Sequence, residues 1–191
     1  MKDSSGSGVP VGLALWQRAA SFASYKHRHQ LRKDGKTPYA SHTFRVCLTL
    51  SAGFGCRDEV ALAAALLHDT IEDTTTDYDD LAKAFGVAVA DVVASVTKNM
   101  ALPDERRERE YDEQLGRADW RARLIKLGDV YDNLADGTST GLGTEQMLKA
   151  RSRARRAVAL AREDAASHPE SAKAIAMVEA SLDVLERGVG C

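Results

Sequence analysis

The stretch Leu66-Leu67-His68-Asp69-Thr70-Ile71-Glu72-Asp73 decides how this chain reads. Before it, Val60, Leu62, Ala63, Ala64, Ala65, Leu66 and Leu67 leave no polar side, so the segment predicts a helix, opened by Asp58, that is buried all round. His68 and Asp69 follow directly and must emerge from that core. An unpaired charge in such a place costs several kcal/mol, so an inward carboxylate calls for a cation or a strong hydrogen-bond partner. Glu72 lies four residues after His68, and Asp73 four after Asp69. One further helical turn is enough to bring both acids to the same space.

Working outward, the elements on either side are helical as well. From Val11 to about Gln30, a stripe of Leu15, Ala19, Phe22 or Ala23 and Lys26 has helical spacing and ends at the turn Lys33 to Pro38. Ser41 is placed to cap a second helix in which His42, Val46 and Leu50 share a face, with Gly53 and Gly55 closing it. Asp77 to Phe85 reads as a short helix stopped by Gly86, and Val89, Val92, Val93 and Val96 form the next stripe. Pro103 to Arg117 is mostly charged and fits either a solvated helix or a mobile flap. Asp119 starts a helix in which Trp120, Leu124, Leu127, Tyr131 and Leu134 pack, while Ile125, Asp129, Asn133 and Asp136 run along a neighbouring line. Gly137 to Gly143 reads as a Gly/Thr/Ser loop, and two C-terminal helices are expected within 144–187. At 191 residues the chain suits one domain, all-α, over 10–190, after a disordered lead-in at 1–9.

Composition narrows the classes. A net charge of -2 gives no overall attraction to nucleic acid or an anionic membrane, so any basic site has to be local. No apolar run approaches bilayer-spanning length, and three cysteines without a C-x-x-C pair suggest neither a disulfide framework nor a zinc ribbon. A reducing cytoplasm is the expected compartment. Four residues on otherwise apolar helices, His42, His68, Asp69 and Asp129, are candidates for one metal shell. Two imidazoles with two carboxylates suit Mn²⁺, or another first-row divalent ion, better than a closed structural zinc site. Glu72 and Asp73 are then the natural acids beside a water activated by that ion.

The string from Leu66 to Thr74 is preceded by Lys33, Gly35, Pro38, Tyr39 and His42. It is followed by Phe85-Gly86, Val96-Thr97-Lys98, Ile125-Lys126-Leu127, Asp129 and Asn133-Leu134. In order and spacing, over a motif core of 22–136, this set closely resembles the hydrolase domain of RelA/SpoT-type alarmone enzymes. The resemblance implies an HD-domain (His-Asp superfamily) helical bundle, Mn²⁺ held by His42, His68, Asp69 and Asp129, and Glu72 with Asp73 as the catalytic pair. It implies hydrolysis of the 3′-pyrophosphate of ppGpp or pppGpp, a guanine nucleotide substrate, to GDP or GTP. It also matches Arg32 and Lys33 to the family's contacts with guanosine and its phosphates, and Asn133 to its nucleoside contact. Lys36, beside these, adds to a local cationic group, which a polyanionic substrate requires. Lys98 is a looser candidate, and Lys149 and Arg153 lie where relatives tend to carry an Arg and a Tyr. With no synthetase region following, a stand-alone small hydrolase is expected.

Two positions depart from the family pattern. Gly128 replaces an alanine, a change expected to be sterically mild, and Ala135 replaces an arginine, which removes a cation near Asn133. Ala135 keeps open a second reading, an HD phosphohydrolase acting on another phosphorylated nucleotide such as NADPH. A third, a nucleotide-binding sensor without turnover, requires a defective ligand or acid, and the motif set shows none.

Overall fold

Helix α3 (Glu59–Leu67) carries the apolar run and is buried from Ala61 to Leu67. Asp58 caps it, accepting the Ala61 N–H at 2.8 Å, and also takes both arms of the Arg121 guanidinium at 2.8 and 2.7 Å. The computed structural model describes residues 11–140 and 143–187, and the expected lead-in at 1–9 lies outside them. Around α3 pack α1 (Val11–Lys26), α2 (Ala40–Leu48), α6 (Val87–Val96) and α8 (Trp120–Thr140). After α3 comes the single turn α4 (Thr70–Asp73), and α5 (Tyr78–Phe85) pairs with α6. α7 (Asp104–Arg117), α9 (Thr144–Ala161) and α10 (Pro169–Arg187) complete the order, with a short 3₁₀ turn, Arg162–Ala166, joining the last two. No strand occurs among the described residues; Leu31 and Pro38 form one isolated antiparallel bridge across the turn before α2.

The core is one cluster in which Leu62, Leu67, Leu124, Ile125 and Leu127 are almost wholly buried. Full burial of a side chain of that size contributes about 1.5–3 kcal/mol. The energy that fixes the fold therefore lies on the helices that carry His68, Asp69 and Asp129. Among the described residues no helix is long and apolar enough to cross a membrane.

Several local expectations change. α2 starts at Ala40, and Ser41 does not cap it: its hydroxyl accepts a hydrogen bond from Arg45 at 3.2 Å. The charged stretch 104–117 is a helix, because Tyr111 and Leu115, 5% and 1% exposed, anchor its apolar edge. α8 continues through Gly137 to Thr140, where a loop was expected. Each glycine weakens a helix by about 1 kcal/mol, and packing of α8 against α9 and α10 outweighs that.

Gly128 is not a mild replacement. A Cβ there would run into Leu50 Cδ1 well inside van der Waals contact and lie 3.2 Å from Val46 Cγ1. The missing methyl lets α8 cross α2 and the π-helical turn Thr49–Phe54 that extends it so closely that a Cβ at 128 would require the Leu50 side chain to shift.

Candidate metal and hydrolytic site

The end of one helix and the faces of two others converge on one cavity of about 410 Å³. α3 stops at Leu67, and the chain turns through His68 and Asp69 before α4; Thr70 Oγ1 donates to Leu67 O at 2.7 Å and closes that turn. α2 presents His42 from the opposite wall, and α8 presents Asp129 and Asn133.

His42, His68 and Asp69 offer ligand atoms all within 4.8 Å of one another. His42 Nε2 lies 3.6 Å from Asp69 Oδ2 and 3.3 Å from Asp129 Oδ1, and His68 Nε2 lies 3.2 Å from Asp69 Oδ2. The opposite ring nitrogens are already engaged. His42 Nδ1 donates to Asp132 Oδ2 at 2.7 Å, and His68 Nδ1 donates to Ala65 O at 2.9 Å. That network assigns both tautomers and turns two bare Nε2 lone pairs toward two carboxylates. Bare lone pairs facing anions repel, and His68 Nε2 is buried without a hydrogen-bond partner. Either the rings protonate or a cation sits between them. Nitrogen and carboxylate donors aimed at one point suit a divalent metal ion, with the oriented histidines typical of such sites.

Without an ion the electrostatics favour protonated rings, so positive charge between the imidazoles and the acids is called for either way. Burial alone would lower the His42 pKa, but Asp129 and Asp132 outweigh it and raise it to about 9. Burial would raise Asp69, yet the His68 and His42 rings hold it well below the usual carboxylate range. Burial would likewise raise Asp129, and Lys126, donating to Asp129 Oδ2 at 2.7 Å, holds it low. Both acids stay ionised, which metal binding requires, but Asp129 lies outside the compact group of His42, His68 and Asp69, and its oxygens accept from Lys126 and Asn133.

Glu72 and Asp73 line the same cavity. Glu72 is raised, chiefly by burial, against the opposing backbone N–H of Lys98, which donates to its Oε2 at 2.9 Å. Asp73 is raised by burial and then by the charge of Asp69. A carboxylate made more basic beside a cation site is suited to accept a proton from water.

The other anticipated residues separate. Arg32, Lys33, Lys98, Asn133 and Arg153 line the cavity. Arg32 is already engaged, donating to Asp136 Oδ2 at 2.7 Å and to Asn133 Oδ1 at 3.0 Å, while Asn133 Nδ2 donates to Asp129 Oδ1 at 2.5 Å. Arg32 and Asn133 thus form one chain that ends on Asp129. Lys36 and Lys149 do not line the cavity. The Lys36 amide caps the Asp34 carboxylate, and Lys149 pairs one turn away with Glu145 at 2.7 Å, a local contact that holds it on the outer side of α9.

Three residues were given no role from sequence, although Tyr39 and Lys126 belong to its motif string. Asp132 orients His42 and takes the Arg45 guanidinium at 2.6 and 2.8 Å; its signal was the spacing of three residues from Asp129, which puts both on one helical face. Tyr39 donates to Asp69 Oδ2 at 2.7 Å and stacks on His27 at 4.9 Å. Its pKa is raised by burial and by Asp69 and Asp73, so it remains a donor. Lys126 is the third, held to Asp129 and 5.3 Å from the Tyr111 ring.

Comparison with known proteins gives a consistent picture. A family model described as an HD domain matches residues 19–153. The Drosophila melanogaster protein named guanosine-3′,5′-bis(diphosphate) 3′-pyrophosphohydrolase MESH1 is 40% identical over 137 residues, covering 70% of this chain and 76% of that protein. The Homo sapiens protein of the same name is 44% identical over 119 residues, covering 62% and 66%. A solved structure, described as a metazoan ortholog of SpoT that hydrolyzes ppGpp and plays a role in starvation responses, superposes with a TM-score of 0.78. It is 34% identical and covers 96% of this chain and 99% of that one.

Proposed function

The chain belongs to the HD-domain family, and from that premise we propose that it is a Mn²⁺-dependent hydrolase that removes the 3′-pyrophosphate of ppGpp or pppGpp. The observation that carries the metal chemistry is the pair of bare Nε2 atoms of His42 and His68 facing Asp69 and Asp129. The nucleotide assignment is supported by the relatives named above, which carry that activity in their names. The same reading puts the protein in a reducing cytoplasm, in keeping with the free thiols of Cys47 and Cys56.

In this mechanism His42, His68, Asp69 and Asp129 hold the ion. When bound, such an ion polarises a phosphate oxygen and lowers the pKa of a nearby water. Glu72 and Asp73, both raised, accept the proton as the water oxygen bonds to phosphorus. As the bond from phosphorus to the 3′ oxygen breaks, the same pair returns a proton to that oxygen, and pyrophosphate leaves beside GDP or GTP. Asp132 and Ala65 O keep the imidazoles turned correctly throughout, and Lys98 N–H holds Glu72 in place. Arg32, Lys33 and Asn133 contact the nucleotide, with Arg32 set in advance by Asp136.

The test is turnover of purified protein loaded with Mn²⁺ on ppGpp, read as pyrophosphate and GDP, beside a panel that includes NADPH and simple phosphomonoesters. Preference for ppGpp is expected. Glu72→Gln with Asp73→Asn should abolish turnover while leaving metal content intact. Fully metal-loaded protein that leaves ppGpp untouched would sink the proposal.

A further inference from the structure

α7 carries a carboxylate surrounded by cations. Glu108 Oε1 accepts from Lys98 Nζ at 2.6 Å and from Arg153 Nη2 at 3.0 Å, and Oε2 accepts from Arg156 Nη2 at 2.6 Å. Those charges, against the burial that would raise it, hold Glu108 at a pKa of about 2. Lys98 and Arg153 also line the hydrolytic cavity, whereas Glu108 and Arg156 lie behind them, away from it. Of the other cations lining the cavity, which are Arg32, Lys33 and Lys126, Arg32 is tied to Asp136 and Lys126 to Asp129. Arg156 has a second acid in Asp112 at 2.7 Å, whereas among the described residues Lys98 and Arg153 both pair with Glu108.

We propose that Glu108 is a built-in counter-anion that tempers polyphosphate binding at the Lys98–Arg153 wall, and so sets how strongly substrate charge away from the metal is felt. An arriving phosphate carries more charge than one carboxylate and competes for the same donors. Arg153 is placed to turn, being 45% exposed and held at 3.0 and 3.4 Å, and Lys98 is held tightly. Glu108 therefore discounts every phosphate that reaches this wall, most of all a longer phosphate chain.

The proposal takes its substrate class from the proposed function, so the probe is inorganic tripolyphosphate, whose binding requires no turnover. Calorimetry on the full chain should show Glu108→Gln binding tripolyphosphate about three- to fivefold tighter, with the gain shrinking at high salt. In turnover, KM should fall more for pppGpp than for ppGpp, with kcat little changed. Unchanged or weaker tripolyphosphate binding would overturn the inference and leave Glu108 as an orienting residue only. If Glu108→Gln folds poorly, the charge-balanced Glu108→Gln/Arg156→Gln pair makes the same change at the wall, since Arg156 does not line the cavity. Tighter tripolyphosphate binding in a protein that leaves ppGpp intact would refute the proposed function and keep this inference.

Discussion

Replacing Asp132 with asparagine separates the orientation of His42, a proposed metal ligand, from simple packing. The Asp132 side chain is 6% exposed and His42 1%, and their contact at 2.7 Å is a charge-assisted bond in the interior. Losing it is expected to cost about 1.5–3 kcal/mol. The Arg45 fork at 2.6 and 2.8 Å adds less, because Arg45 is 37% exposed and water replaces part of what is lost, so about 0.5 kcal/mol is a fair allowance. The sum, about 2–3.5 kcal/mol, lowers the melting temperature by roughly 4–14 °C for a chain of this length. An asparagine at 132 can accept the Nδ1 hydrogen only through a neutral amide oxygen, so the ring is held less firmly. Metal affinity should fall about 10- to 100-fold, the usual effect of removing the partner of a metal-ligating histidine. Differential scanning fluorimetry of metal-free protein and isothermal titration with Mn²⁺ measure the two effects separately. A lower melting temperature with unchanged metal affinity and turnover would refute the claim that Asp132 acts through His42.

Other outcomes follow from the same geometry. Treatment with a chelator should abolish turnover and lower the melting temperature, since Asp69 and Asp129 lose their shared counter-charge; an unchanged melting curve would show that these side chains hold no common ion. Gly128→Ala gains about 1 kcal/mol of helix propensity but overpacks against Leu50 and Val46 at about 1–3 kcal/mol, so a net loss is expected in urea unfolding, and a more stable variant would contradict the close crossing. Glu108 is depressed from 4.5 to about 2, so its contribution to stability is full above 4.5 and disappears as pH falls through 2. The difference in melting temperature between wild type and Glu108→Gln should therefore close across that window. That difference should be modest, because Lys98, desolvated and near Lys126, is itself lowered, which offsets part of what the Glu108 shift suggests.

What could be read without coordinates was whatever periodicity or spacing exposes. The apolar run into His68, the four-residue offsets to Glu72 and Asp73, and the placement of His42 and Asp129 on apolar stripes all follow from helix geometry, and the fold brings these side chains to one cavity. What escaped depends on neighbours distant in sequence. Asp132 looks like any helical acid until His42 and Arg45, about 90 residues earlier, are seen against it. Glu108 sits in a run of like acids and bases, where spacing distinguishes none of them. Gly128 looked harmless because its consequence lies in Leu50, on another helix. Lys149 lay near the right place in sequence but one residue off the cavity-facing line of α9 that Gln146, Ala150 and Arg153 mark.

The turn at His68-Asp69 ends a helix that has no solvent-facing side, and this has a kinetic consequence. α3 cannot fray on its own, because any local opening would drag Ala61 to Leu67 away from α1, α2, α6 and α8 together. Its amide hydrogens should exchange only when the whole core opens. Two of the ligand candidates follow that element directly, so unfolding of the backbone that carries His68 and Asp69 is tied to the same rare global event. Hydrogen exchange at Leu66 and Leu67 would then report how often the backbone of the centre opens.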